Sequence, residues 1–316
     1  MTEEQSPEGD IRRDSELNKF FRVAIKTNAN DLHLKVGSPP KLRIKGQLKN
    51  TTGEVLSKER LEELVYDILT PNQKEAYLSE GTLDFVHKFD DGDRFRVNIF
   101  SQRGLMSLVA RRVNTIIPSL ESLNLPAILK NICDRSQGLI LVAGPSGCGK
   151  TTTIVTMLDH INSTRSSHIM TIEDPIEYLF TDKKSIVSQR EIGIDVKGFN
   201  ESMKYLVRQD PDVVFIGEMR DADTVKAAMR AAETGHLVFG TMHAANCAQS
   251  VQRLLDLFPQ NERGLVRQTL SLTLTAIISQ ILLPSIKENV DRVPALEILI
   301  ANSTVRKLIS ESREAD

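Results

Sequence analysis

The pattern of apolar and polar positions divides the chain into two parts. In the first part, apolar and polar residues alternate in several short runs, which is typical of strands with one buried face. These runs cover residues 31–36, 41–45, 83–86 and 94–100. A helical spacing extends from Leu61 to Leu69, and we expect Pro71 to end that helix. The first part is therefore predicted to be a small α+β domain.

Beyond residue 126 the predicted strands change character. Short, continuous apolar runs alternate with helical patterns, as in a parallel sheet that is covered on both faces. The four runs span residues 139–143, 168–172, 213–216 and 237–239. Because ligands bind beyond the carboxyl ends of such strands, we expect the polar residues after these runs to form one site. The predicted divisions are a disordered acidic tail at 1–16, a first domain at 17–112, a linker at 113–126 and a second domain at 127–316.

Composition narrows the functional classes. The 316 residues are 40% hydrophobic and 26% charged, which fits about two globular domains. The 40 basic and 42 acidic residues leave a net charge of -2, so nucleic acid is not an expected partner. The three cysteines form no C-x-x-C pair, which favours neither a disulfide framework nor a structural zinc site. A RecA-like nucleic-acid motor is disfavoured because the chain lacks a basic excess and only 5% of its residues are aromatic.

Two further patterns bear on location. The N-terminus lacks the basic and apolar segments of a secretory signal, so a cytoplasmic protein is expected. The longest uncharged run, residues 269–286, contains several hydroxyl and amide side chains. We interpret it as a core helix rather than a membrane span.

The strongest chemical motif is G-P-S-G-C-G-K-T at residues 144–151, placed between a predicted strand and a predicted helix. Its glycines let successive backbone N–H groups turn toward phosphates at the start of the helix. Lys150 supplies positive charge to the β- and γ-phosphates, and the hydroxyl of Thr151 is suited to Mg²⁺. A glycine turn without a nucleotide is the alternative. The predicted nucleotide-binding residues are Pro145, Ser146, Gly147, Cys148, Gly149, Lys150, Thr151 and Thr152.

Two glutamates follow predicted strands and are candidates for the chemistry. Glu218 comes after V-V-F-I-G in a Walker B-like position, so it is the better candidate for an acid on the metal side. Glu173 is then the better candidate for the base that orients the attacking water. Either side chain could instead cap the helix that follows it.

Histidines and arginines are weaker candidates. His236 and His243 flank the fourth apolar run at a spacing that is not typical of zinc sites. His243 could sense the γ-phosphate or contact a neighbouring subunit, or it could be an ordinary hydrogen-bonding residue. Arginines from a neighbouring domain or subunit often neutralise the γ-phosphoryl group in ring ATPases, although isolated surface arginines are the alternative. The first domain carries Arg94, Arg96, Arg103, Arg111 and Arg112 in its last third.

Several ordered blocks of sequence resemble the type IV pilus retraction ATPases, within the wider secretion ATPase superfamily. These blocks are D-L-H-L at 31–34, R-F-R-V-N at 94–98, the P-loop, T-I-E-D-P-I-E-Y at 171–178, R-Q-D-P-D at 208–212, G-E-M-R-D at 217–221, A-E-T-G-H at 232–236 and T-M-H at 241–243. The resemblance implies a PAS-like N-terminal domain and a RecA-like P-loop ATPase domain. It also implies a homohexamer with the nucleotide between the domains.

The same resemblance implies roles for individual residues. The implied site consists of the catalytic glutamate Glu173, the Walker B acid Glu218, the phosphate contacts Arg96 and Arg111, the histidines His236 and His243, and the motif arginines Arg208 and Arg220. ATP and Mg²⁺ are the implied cofactors. The implied partner is an inner-membrane pilus platform protein, with which the ATPase would dock at the cytoplasmic face of the membrane.

Two departures from the family pattern bear on function. Cys148 stands in the P-loop where the family usually has serine. The family's A-I-R-N-L-I-R-E retraction motif is replaced by S-T-V-R-K-L-I-S at 303–310. The sequence stops soon after it, so we do not expect the family's usual C-terminal helices. The leading expectation is a hexameric motor ATPase that drives pilus retraction. The alternative is an accessory nucleotide-binding ring subunit with little force generation, but the presence of Glu173 and Glu218 favours the enzyme.

Overall fold

The chain folds into two compact units that meet in sequence between Thr115 and Ile116. The structure is a computed structural model that describes residues 15–44, 46–89, 92–286, 290 and 292–313. Residues 1–14 of the predicted tail lie outside the described residues. Ser15 and Glu16 were assigned to that tail, but they are the N-cap and the first residue of a helix.

The first unit is an antiparallel sheet packed against helices. Its elements are α1 Glu16–Lys26, β1 Asp31–Lys35, β2 Lys41–Ile44, β3 Gln47–Asn50, α2 Lys58–Tyr66, α3 Pro71–Glu80, β4 Thr82–Lys88, β5 Arg94–Gln102 and β6 Leu105–Val113. The strands lie in the order β3-β2-β1-β6-β5-β4. Alternate strand residues such as Leu32, Val97 and Leu108 form the core together with Phe21. This alternation is the pattern that predicted strands in this part of the chain.

Pro71 begins a helix, contrary to the prediction that it would end one. The preceding helix α2 already ends at Tyr66, and Pro71 is the first residue of α3. The Thr70 hydroxyl accepts a hydrogen bond from the backbone N–H of Gln73, and the Gln73 side chain accepts one from the N–H of Thr70. This capping box stabilises the helix start. Proline is favourable there because its fixed φ suits the helix and its missing N–H would have no helical partner.

The second unit is a mostly parallel sheet with helices on both faces. Its elements are α4 Ile128–Cys133, β7 Gly138–Ala143, α5 Lys150–Thr164, β8 His168–Glu173, β9 Ile186–Glu191, α6 Phe199–Leu206, β10 Val213–Ile216, α7 Ala222–Glu233, β11 Leu237–Met242, α8 Cys247–Asp256, α9 Arg263–Thr273, β12 Leu274–Pro284, β13 Arg292–Ile300 and α10 Ser303–Ser310. The strand order is β13-β12-β7-β11-β10-β8-β9. Among the described strands of this sheet, β13 alone pairs antiparallel.

Strand β7 shows why the central strands are continuous apolar runs. Leu139 and Leu141 belong to the core cluster on one face of the sheet, whereas Ile140 and Val142 belong to the cluster on the other. Both faces are therefore buried, as the sequence pattern predicted. The four predicted runs correspond to β7, β8, β10 and β11.

The uncharged run at 269–286 is not one core helix, and that prediction is wrong. Helix α9 ends at Thr273, and the next residue begins β12. This strand lies between β7 and β13, where Leu274 and Ile277 are fully buried. A buried strand and a buried helix both appear as uninterrupted apolar runs, so periodicity alone does not separate them. Within the described ranges, no helix combines the length and apolar character needed to cross a membrane.

Candidate active site

The carboxyl ends of the central strands meet at one cleft in the second unit, as their parallel arrangement requires. The cleft brings together the P-loop residues Ser146, Gly147, Lys150 and Thr151 with Glu173, Glu218, Arg220 and His243. The loops after β7, β10 and β11, the start of α5 and the end of β8 supply these side chains. The parallel sheet therefore brings together the P-loop and His243, which lie almost one hundred positions apart in the sequence.

The P-loop forms the tight turn between β7 and α5. Gly147 and Gly149 have φ values of +73° and +87°, which side-chain-bearing residues rarely adopt. Lys150 is the first residue of α5, and its Nζ donates to the carbonyl oxygens of Gly144 at 2.9 Å and Pro145 at 3.1 Å. The ammonium group therefore lies against the loop at the N-terminus of the helix, where anions are favoured.

The neighbouring P-loop side chains have different environments. Thr151 is half-buried and lines the cleft. The hydroxyl of Thr152 lies 3.4 Å from the hydroxyl of Tyr178, so it contacts the segment after β8. Cys148 is only 4% exposed, which places its thiol inside the protein rather than at the surface of the loop.

Glu173 is a buried carboxyl group at the end of β8. Its side chain is 1% exposed, and burial raises its pKa to about 7 despite hydrogen bonds that oppose the shift. Oε1 accepts hydrogen bonds from the Thr171 hydroxyl at 2.6 Å and from Nε2 of Gln189 at 3.2 Å. Oε2 is buried and has no hydrogen-bond partner among the described residues. Two side-chain hydrogen bonds thus hold the carboxyl group through Oε1.

Gln189 is a site residue that the sequence did not reveal. Besides contacting Glu173, its Nε2 donates to the carbonyl oxygen of Tyr178 at 2.8 Å, and its Oε1 accepts from the N–H of Phe180 at 2.9 Å. It joins β9 to the segment after β8. Thr171 was also missed, although its position two residues before Glu173 places both side chains on one face of the strand.

Glu218 has the opposite electrostatic environment. Nη2 of Arg220 lies 2.6 Å from one carboxylate oxygen, and Nε2 of His243 lies 3.3 Å from the other. The hydrogen bond from Arg220 is the main cause that lowers the pKa of Glu218, and the charges of Arg220, His243 and Lys150 act in the same direction. The structure therefore brings three of the sequence-predicted residues into direct contact.

Two predicted residues of this unit lie elsewhere. His236 precedes β11 and His243 follows it, so the six-residue strand separates them by about 20 Å. The Nδ1 of His236 lies 2.9 Å from the carbonyl oxygen of Ala231, near the end of α7. Arg208 is exposed in a short turn after α6. Neither side chain is among the described residues that line the cleft.

The two predicted arginine contacts belong to the first unit. Arg96 on β5 and Arg111 on β6 are direct cross-strand partners. Nε of Arg111 donates to Oδ1 of Asp31 at 2.8 Å, and Nε of Arg43 lies 3.2 Å from the other oxygen of this buried carboxylate. A charged face therefore forms on the sheet, with Asp31 holding two of its arginines.

Comparison with known proteins decides the family. Residues 100–312 match the family model described as type II/IV secretion system protein. The chain belongs to this family of secretion ATPases. This secretion ATPase is 39% identical over 300 residues to the type IV pilus retraction ATPase PilT of Pseudomonas aeruginosa, covering 95% of the chain and 87% of the relative. It is 41% identical over 274 residues to a twitching motility protein of Neisseria gonorrhoeae, covering 87% and 73% respectively.

Structural similarity agrees with this assignment. A crystal structure of the pilus retraction motor PilT with bound ADP matches this secretion ATPase with a TM-score of 0.89 and 44% identity, covering 95% of this chain and 87% of that one. The predicted resemblance to pilus retraction ATPases is confirmed, as is the α/β fold with a smaller N-terminal domain. The assignment as a P-loop ATPase is likewise confirmed.

Proposed function

We propose that this secretion ATPase hydrolyses ATP to ADP and phosphate in the cleft at the end of its parallel sheet. The observation that carries the proposal is the convergence of Lys150, Glu173 and Glu218 on that cleft. The P-loop, residues 144–151, binds the phosphates through its backbone N–H groups and Lys150. The similarity to a PilT structure with bound ADP supports this use of the loop.

Glu173 is the proposed base. A group with a pKa near the working pH is an efficient proton acceptor, and burial places the pKa of Glu173 at about 7. Its Oε2 takes a proton from the attacking water while the water oxygen forms a bond to the γ-phosphorus. The bond from that phosphorus to the β–γ bridging oxygen breaks, and ADP leaves. Thr171 and Gln189 hold the carboxyl group in position through Oε1.

Two other residues of the cleft fit a magnesium site. Mg²⁺ prefers oxygen ligands, uses one or two carboxylates and keeps several waters. The Thr151 hydroxyl and the Glu218 carboxylate line the same cleft and provide such ligands, partly through water. Bound Mg²⁺ would neutralise charge on the β- and γ-phosphates. Arg220 and His243 hold the Glu218 carboxylate from both of its oxygens.

We further propose that the protein works as a homohexamer that drives pilus retraction through an inner-membrane platform protein, docked at the cytoplasmic face of that membrane. The support is the similarity to a pilus retraction ATPase and to a twitching motility protein over most of the chain. In the assembled ring, Arg96 and Arg111 are the proposed arginine contacts to phosphate.

Turnover per chain, measured against protein concentration with saturating ATP and Mg²⁺, tests the proposal. Lys150→Ala serves as the blank, and light scattering reports the mass in the same samples. If assembly completes the site, turnover rises and reaches a plateau as the mass approaches that of six chains. Constant turnover from a monomer would contradict the ring. Turnover at the blank level with intact ADP binding would instead support the accessory-subunit alternative.

A further inference from the structure

A buried glutamine outside the P-loop contacts both the loop and the helix that follows it. Gln280 lies on β12, the strand beside β7, and is 3% exposed. Its Nε2 donates to the carbonyl oxygen of Cys148 at 2.6 Å, and its Oε1 accepts from the Thr153 hydroxyl at 2.7 Å. One side-chain amide therefore joins the end of the P-loop to the first turn of α5.

The loop is also packed directly against β12. A Cβ atom at Gly144 would lie 2.3 Å from the carbonyl oxygen of Gln280 and 2.6 Å from Sγ of Cys148. A Cβ atom at Gly149 would lie 3.0 Å from Nε2 of Gln280. Both distances at Gly144 are shorter than real Cβ contacts, so the glycine there is required by the approach of β12. The backbone and the side chain of Gln280 thus both pack directly against the loop.

The contact with Cys148 has a consequence for the adjacent N–H group. The carbonyl of Cys148 and the N–H of Gly149 belong to the same peptide unit, and the cis peptide found in the described chain lies elsewhere, at Asp174 and Pro175. In a trans peptide the C=O and the N–H point in opposite directions. Because Gln280 holds the carbonyl toward β12, the N–H of Gly149 is turned away from β12. P-loops bind phosphate with backbone N–H groups of this segment.

We infer that Gln280 is a positioning residue for phosphate binding, which acts by fixing the peptide plane between Cys148 and Gly149. The inference rests on the proposed use of this loop for ATP. Gln280 touches the loop rather than the nucleotide. Loss of its amide frees that peptide plane to rotate, so binding of the phosphates weakens while binding of the nucleoside does not change.

The test compares two nucleotides that differ by one phosphate. Dissociation constants for ADP and AMP are measured by calorimetry for the unsubstituted chain and for Gln280→Met, which keeps a side chain of similar length without the amide. Gln268→Met is the matched control, because Gln268 is exposed on α9. We expect Gln280→Met to weaken ADP at least tenfold and AMP less than threefold, while Gln268→Met changes neither.

A second pair of variants keeps the test independent of how well Gln280→Met folds. Thr153→Val removes the hydroxyl that contacts Gln280, whereas Thr153→Ser retains it. We expect Thr153→Val to weaken ADP severalfold more than AMP and Thr153→Ser to restore the native ratio. Equal losses for ADP and AMP, or unchanged ADP affinity in both Gln280→Met and Thr153→Val, would overturn the inference. If the unsubstituted chain failed to bind ADP, that result would contradict the proposed function itself rather than the role of Gln280.

Discussion

The hydroxyl of Thr171 donates a 2.6 Å hydrogen bond to Oε1 of Glu173, two positions further along β8. The same oxygen also accepts a hydrogen bond from Gln189, while Oε2 has no hydrogen-bond partner in the described part of the chain. The side-chain hydrogen bonds to this carboxyl group therefore all reach Oε1. Burial raises its pKa to about 7, so its ionised form is costly in the folded protein.

Glu173 should make the folded protein less stable as pH rises. Its folded pKa of about 7 lies above its ordinary value of 4.5, so the folded state binds more protons between those two values. Stability is then lost as pH increases through this window. Glu173→Gln removes the effect. The free energy of unfolding of this variant, relative to that of the unsubstituted chain, should increase by about 2–3 kcal/mol between pH 5 and pH 8.

Calorimetric melting of both proteins at several pH values checks this expectation. The difference between their melting temperatures should widen by roughly 5–10 °C from pH 5 to pH 8. Glu233→Gln is the matched control, because Glu233 is exposed at the end of α7. A difference that stays constant with pH would show that Glu173 has an ordinary pKa.

The first unit should respond to pH in the opposite sense. His87 stacks on Phe21 with ring centroids 4.8 Å apart, and its Nε2 donates to Oδ1 of Asn18 at 2.7 Å. Burial lowers the pKa of His87 to about 4 from 6.5. The unfolded chain therefore binds the proton more readily, and stability is lost as pH falls from 6.5 toward 4. Between pH 7 and pH 4.5 the loss should be about 2 kcal/mol.

His87→Gln isolates this contribution, because glutamine keeps a donor for Asn18 but does not titrate. Chemical denaturation of the variant and of the unsubstituted chain should give free energies of unfolding that converge as pH falls from 7 to 4.5. Parallel curves would contradict the buried neutral histidine.

The proposed arginine contacts predict a loss of turnover. For Arg96 this loss comes without a loss of folding, whereas removal of Arg111 also lowers stability because it takes a partner from the buried Asp31 carboxylate. Arg96→Ala or Arg111→Ala should lower kcat at least 100-fold, because such arginines neutralise charge that develops on the transferred phosphoryl group. Arg103→Ala is the control, since Arg103 lies in the turn between β5 and β6. Steady-state turnover with melting curves measures both properties. Equal turnover in the Arg96 and Arg103 variants would remove Arg96 from the site.

The sequence predicted those parts of the fold whose signals are local. Four buried strands were visible as short apolar runs, and the P-loop between β7 and α5 was visible as a motif. Because the strands are parallel, their carboxyl ends had to meet, so Glu173 and Glu218 could be placed at one cleft before the structure was known.

The other parts of the fold and of the site could not be predicted, because they depend on contacts between residues that are distant in sequence or on features that the local pattern leaves ambiguous. Strand β12 was predicted to be part of a helix. A buried strand and a buried helix both lack a polar face, so the apolar run alone did not distinguish between them. Gln280 is 132 positions from Cys148 in sequence, and only the pairing of β12 with β7 brings them together. Pro71 was predicted to end a helix, although it begins one. Proline is unfavourable in the interior of a helix but favourable at its first position, and the local sequence did not show which of the two boundaries lies at Pro71.

The most direct measurement of the central claim is phosphate release by Glu173→Gln at saturating ATP and Mg²⁺, with ATP binding determined on the same sample. If Glu173 is the base, kcat falls at least 100-fold, whereas the dissociation constant for ATP stays within threefold of the unsubstituted value. Lys150→Ala should lose affinity as well as turnover. Phosphate release by Glu173→Gln at the rate of the unsubstituted chain would contradict the account.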